Sequence, residues 1–142
     1  MRPNLGFYVQ TINDLVKETE TIGETMHPNY EEIRQALDDK KESELSPERL
    51  EAIGATFKKG TDKYRLMLEQ ISKLRPPANV MGIHKKFERA YMKYVAGCEE
   101  MTLSLADGID REAFDAAEKK QDEATDEISF AIQRMTALLL KK

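Results

Sequence analysis

Residues 74–105 read LRPPANVMGIHKKFERAYMKYVAGCEEMTLSL, and the fold follows from how this stretch is punctuated and spaced. The pair Pro76-Pro77 closes one helical pattern, because proline lacks the backbone N–H that a helix needs and holds the preceding residue in extended backbone. From Asn79 onward, Val80, His84, Phe87, Tyr91, Tyr94, Cys98, Met101 and Leu105 recur in alternating steps of four and three residues. That spacing keeps one face of a helix against its neighbours. The stretch also carries the only cysteine, one of two histidines and two of five tyrosines, so a site is expected here first.

The same spacing extends to both sides. Towards the N-terminus, Leu5, Tyr8, Ile12, Leu15, Thr19, Ile22 and Met26 define a first helix, with Val9 and Val16 widening its apolar stripe. Pro28 predicts a break, after which Tyr30, Ile33 and Leu37 resume in a short piece capped by Asn29. Asp38 to Leu45 is the most polar run and predicts a mobile loop. Ser46-Pro47-Glu48 then opens a second helix: serine caps, proline gives up a donor that has no partner in a first turn, and glutamate suits the positive end of the dipole. Its seam runs Leu50, Ile53, Phe57, Gly60, Tyr64, Met67, Ile71 and Leu74.

Beyond the third helix, Asp107-Gly108 marks a turn and Asp110 a cap. The fourth seam reads Phe114, Ala117, Gln121, Ala124, Ile128, Ala131, Met135 and Leu138, with Lys141-Lys142 at the negative end of the dipole. The expected fold is all-α: one domain over residues 1–142, an antiparallel up-down-up-down four-helix bundle with a first helix broken near Pro28. Charge supplies a register. Folding the fourth helix back on the third about Gly108 brings Glu99 and Glu100 towards Lys119 and Lys120, and Arg89 and Lys93 towards Glu123, Asp126 and Glu127.

Composition narrows the function. A charged fraction of 34% with aromatics at 7% and no tryptophan suits long helices in water. A net charge of −4 gives no positive field for a nucleic-acid backbone or an anionic membrane, so neither is an expected partner. A lone Cys98 in an apolar seam reads as a buried thiol in a reducing compartment. The N-terminus lacks the apolar core of a signal peptide, and no run approaches a membrane span. The expected location is cytoplasmic, or extracytoplasmic if a leader has been removed.

The sequence spells out no catalytic constellation. Glu24 and His27 have the spacing of a bundle metal site, but no second helix repeats it, so neither metal nor cofactor is expected. Cys98 and His84 are separated by roughly 21 Å along one helix, too far for a nucleophile and its base. Lys85, Lys86, Arg89 and Lys93 form a basic stripe that suits either the acidic face of the fourth helix or an acidic partner. Gly23, Gly54, Gly60, Gly82 and Gly97 all fall within helical patterns, which points to close packing, with Gly60 making room for Tyr91 or Phe57, or else to a cavity or a flexible point.

The segment Leu74-Arg75-Pro76-Pro77, followed by His84 and the Tyr91/Tyr94 pair, resembles a pattern in small helical-bundle proteins of Gram-positive bacteria, including domains of uncharacterised lipoproteins. The resemblance implies a bacterial helical bundle and transfers no catalytic residue. This chain departs from the lipoprotein form in having no cysteine near its N-terminus, which argues against an anchor.

Two functions remain. One is a non-enzymatic interaction or scaffolding module that binds another protein along a helix face or the groove beside the broken first helix, with a homo-oligomer also open. The other is a small-ligand-binding bundle with a pocket near His84, Tyr91 and Tyr94. The candidate contact residues are His84, Tyr91, Tyr94, Lys85, Lys86 and Arg89.

Overall fold

The computed structural model describes residues 5–140, and these form four long helices with no strand among them. They are α1 (Leu5–Asp38), α2 (Pro47–Lys73), α3 (Met81–Leu103) and α4 (Arg111–Leu140). The N-terminal tetrapeptide and the Lys141-Lys142 pair, with its expected role at the end of α4, lie outside the described residues.

Helix boundaries follow local chemistry. The Ser46 hydroxyl accepts from the Arg49 N–H at 3.1 Å and Pro47 is the first residue of α2. At the other end Leu74 takes extended backbone ahead of Pro76-Pro77. A single 3-10 turn, Ala78–Val80, leads into α3. After α3 the chain turns through Gly108, whose φ of +88° is open to glycine at no steric cost, and the Asp110 carboxylate accepts from the Ala113 N–H at 3.0 Å.

The expected break near Pro28 does not occur: α1 runs without interruption from Leu5 to Asp38 with Pro28 inside it. Burial decides the outcome. A helix-interior proline costs about 3 kcal/mol, whereas burying one large aliphatic side chain contributes about 1.5–3 kcal/mol. Past the proline, both Ile33 and Leu37 are fully buried, and Tyr30 stacks on Phe114 with ring centroids 6.0 Å apart. Arg34 reinforces the contact by lying over the Phe114 ring and pairing with Asp115 and Glu118 on α4. The polar run after α1 holds a 3-10 turn at Glu42–Glu44 and is tied to α4 by Arg111, which donates to the Leu37 carbonyl at 2.7 Å and to Glu42 at 2.8 Å.

The core has two parts that meet at Met26. One gathers Tyr8, Ile12 and Leu15 with Tyr64, Ile71, Phe87, Tyr91 and Met135; the other gathers Ile33 and Leu37 with Ile53, Phe57, Leu105 and Phe114. Helices α3 and α4 pack tightly at Gly97. A Cβ there would lie 2.8 Å from Gln121 Cγ and 3.3 Å from the Ala117 carbonyl oxygen, and Gln121 Nε2 donates to the Gly97 carbonyl at 3.1 Å. At Gly60 the neighbour is the Met26 thioether rather than Tyr91 or Phe57.

Charge pairs cross between helices. Lys120 meets Glu100 at 2.8 Å, and Lys93 meets Glu127 at 3.0 Å and Glu123 at 3.5 Å. Glu99 departs from the expected register, because it points to α2 and pairs with Arg65 at 2.8 Å.

Candidate functional site

The stretch that organises the sequence contributes to two adjoining features. At the first, α1, α2 and α3 converge on His84, which is only 4% exposed. Its Nε2 lies 3.1 Å from the Ile71 carbonyl and its Nδ1 lies 2.8 Å from the Tyr8 hydroxyl. A carbonyl can only accept, so Nε2 carries the proton and Nδ1 accepts from Tyr8. Both ring nitrogens are thereby satisfied with a neutral imidazole. Burial holds the His84 pKa below its ordinary value against the opposing pull of the Ile71 carbonyl and Glu88, and burial pushes the Tyr8 phenol up to about 12.

About one to three turns along α3 lies the second feature, a half-open cleft of about 420 Å³ between α1 and α4. Its floor is Phe87, Tyr91 and Tyr94. The ring centroids are 6.1 Å apart for Phe87 and Tyr91, and 6.3 Å for Tyr91 and Tyr94. Val16 from α1 and Ile128 and Ile132 from α4 supply apolar walls, while Thr19, Glu20, Thr125, Ser129 and Gln133 supply polar groups. Gly23 belongs to the α1 wall, where a Cβ would sit 3.6 Å from the Tyr64 hydroxyl.

Hydrogen bonds fix this floor. Thr19 donates its hydroxyl proton to the Leu15 carbonyl at 2.7 Å, so Tyr91, at 2.8 Å, donates to Thr19. Tyr94 donates to Tyr64, and Tyr64 donates to the Thr19 carbonyl, each at 3.4 Å. Burial raises the Tyr64 and Tyr91 phenols strongly, and it pushes both the Tyr94 phenol and the Cys98 thiol up to about 12. These groups stay protonated near neutral pH. As a thiol rather than a thiolate, Cys98 is a poor nucleophile, and His84 has no free nitrogen with which to activate it.

The six residues singled out in the sequence thus separate. Tyr91 and Tyr94 share the cleft; His84 lies off it, closed over by Tyr8. Lys86 and Arg89 face a second groove, between α3 and α4, with Asp126, Glu127 and Phe130, while Lys85 is exposed and lines neither feature. The sequence reading missed the contributions of α1 and α4 to the cleft. Periodicity marks which residues face inward, but not where two inward faces stand apart. Glu24 and His27 do not form a pair: His27 meets Glu31 at 3.2 Å and stacks on Tyr30. Among the described residues no three His, Cys, Asp or Glu side chains gather as a metal site, and no helix is long and apolar enough to cross a membrane.

No known protein family, curated protein or solved structure matches the chain.

Proposed function

We propose that the chain is a non-enzymatic binding module, an antiparallel up-down-up-down bundle that receives an apolar segment of a protein partner in the cleft between α1 and α4. The observation that carries this reading is the cleft itself: an aromatic floor held by internal hydrogen bonds, apolar walls, and a polar rim whose one ionisable side chain is Glu20. A preformed apolar recess with its tyrosines already ordered loses little side-chain entropy on binding. The antiparallel topology is supported by cross-helix pairs whose numbering runs in opposite senses: Lys93 with Glu127, Gly97 with Gln121, Glu100 with Lys120, and on the other side Ser72 with Glu88 and Arg65 with Glu99.

The test is affinity capture from the native host with the wild-type chain and with a Ser129→Trp variant, in which an indole fills the cleft from its rim. A partner identified by mass spectrometry with the wild type and lost with the filled variant supports the reading. Equal capture by both overturns it, provided circular dichroism shows the variant to be folded.

A second reading is a small apolar ligand, favoured by a cleft volume of about 420 Å³, which lies within the range of small-molecule pockets. Native mass spectrometry of protein purified from its host distinguishes the two, since a retained small molecule adds a discrete mass that Ser129→Trp removes.

A further inference from the structure

The groove on the outer face of α3 and α4 is separate from the cleft and has a different chemistry. Phe130 stands in it 60% exposed, with Ala131 beneath. Lys86 and Arg89 line the α3 side, Asp126 and Glu127 the α4 side, and the space between measures about 460 Å³. Among the described residues Lys86, Arg89 and Asp126 make no ion pair or hydrogen bond, and Glu127 is held by Lys93. The two walls bear opposite charge and no ion pair joins them; by the pairing of Lys93 with Glu127 and of Gly97 with Gln121, the acidic pair stands about one helical turn along from the basic pair.

We propose that this face binds a second copy of the chain, forming a two-fold dimer. A two-fold axis lying between the copies and parallel to the helices exchanges left and right while leaving height unchanged. It therefore sets α3 of each copy over α4 of the other, with each basic pair about one helical turn from the opposing acidic pair, a span that the long lysine and arginine side chains cover. It also carries each Phe130 between Lys86 and Arg89 of the opposite copy, where their aliphatic stems cover the ring. Area is adequate: α3 spans about 35 Å, and two helices side by side are about 20 Å wide, so the face offers roughly 700 Å² per copy, close to the roughly 800 Å² of a standard interface. An exposed phenylalanine ringed by charge is also the arrangement of an interface centre and its rim. A partner with only one sign of charge would leave one wall facing its like.

Sedimentation velocity on the full chain tests this over a range from about 1 to 100 µM. The expected result is a concentration-dependent shift from 16.3 kDa to twice that mass, weakened at least several-fold by raising salt from 0.05 to about 0.5 M, because the pairs are screened. A Lys86→Glu/Arg89→Glu variant and an Asp126→Lys variant should each stay monomeric alone, while an equimolar mixture of the two regains the doubled mass. Phe130→Ser should be monomeric with unchanged helicity. A wild-type chain that remains monomeric throughout, or charge variants that dimerise as well as the wild type, would overturn the proposal. So would a mixture that fails to associate although both components are folded.

Discussion

The Tyr8 hydroxyl stands 2.8 Å from His84 Nδ1, joining the first turns of α1 to the start of α3, and Tyr8 itself is 1% exposed. Removing the hydroxyl leaves a buried imidazole nitrogen without a donor. Tyr8→Phe is therefore expected to lower unfolding stability by about 1–3 kcal/mol, read from the denaturant midpoint at an unchanged m-value. The same substitution in a His84→Ala background should cost much less, since the orphaned acceptor is already gone. Equal losses in the two backgrounds would show that the 2.8 Å contact carries no coupling.

The same imidazole predicts a pH dependence. Burial depresses the His84 pKa in the fold below its ordinary value of 6.5. Above 6.5 both folded and unfolded chains hold a neutral imidazole, and the full stability is present. As pH falls through 6.5 the unfolded chain takes up a proton that the fold resists, so stability declines until the depressed folded value is reached, then levels off. Melting temperatures across pH 8 to 4.5 should show this decline, and His84→Gln should flatten that part of the profile while carboxylate effects at lower pH persist.

Local signals in the sequence proved readable where the chemistry is local. Ser46 and Asp110 cap the helices they were expected to cap, because a cap depends on neighbours within three residues. The seam from Val80 to Leu105 is buried at every position except Tyr94, which is half-buried at the edge of the cleft. What failed was the weight given to Pro28. Met26, Tyr30, Ile33 and Leu37 continue the apolar phase across it, and that phase outweighs the single lost hydrogen bond. The cleft was legible only in half, through Tyr91 and Tyr94, since its existence depends on the separation of α1 from α4. Glu99 chose Arg65 over α4 because a helix-edge residue reaches either neighbour, and spacing along one helix does not select between them.

That choice gives a measurable coupling. Reversing Glu99 to Lys and Arg65 to Glu should each destabilise slightly, and combining them should restore most of the loss, with a coupling of about 0–1 kcal/mol as for other exposed pairs. Glu99→Lys combined with Lys119→Glu should be additive. Coupling to Lys119 instead would reassign Glu99 to α4.

Two helical glycines should respond in opposite directions. At Gly54 an added Cβ meets nothing within 4 Å, so Gly54→Ala should stabilise α2 by up to about 1 kcal/mol. At Gly97 the same methyl presses on Gln121 and on the Ala117 carbonyl, and separating α3 from α4 should cost about 1–3 kcal/mol, exceeding the gain in helix propensity. Thermal unfolding of the two variants side by side makes the comparison, and a stabilised Gly97→Ala would mean that the α3–α4 contact yields readily.

Pro28 offers the most direct check on the continuity of α1. In an unbroken helix the residue at position 28 should donate its N–H to the carbonyl of Glu24, and proline cannot. The site is exposed, so a methyl group in place of the ring removes no core contact. Alanine restores the donor and adds helix propensity, while the unfolded chain gains back conformational freedom worth about 0.4–1 kcal/mol. The propensity difference of about 3 kcal/mol exceeds that, so Pro28→Ala should stabilise the protein by about 1–3 kcal/mol and raise its melting temperature by several degrees. Amide hydrogen exchange gives the local reading: protection at residues 26–33 should increase most, because the restored hydrogen bond lies in that part of the helix. Were the helix to end at Pro28 and restart in a new direction, alanine would favour the wrong backbone angles at the corner and the melting temperature would fall.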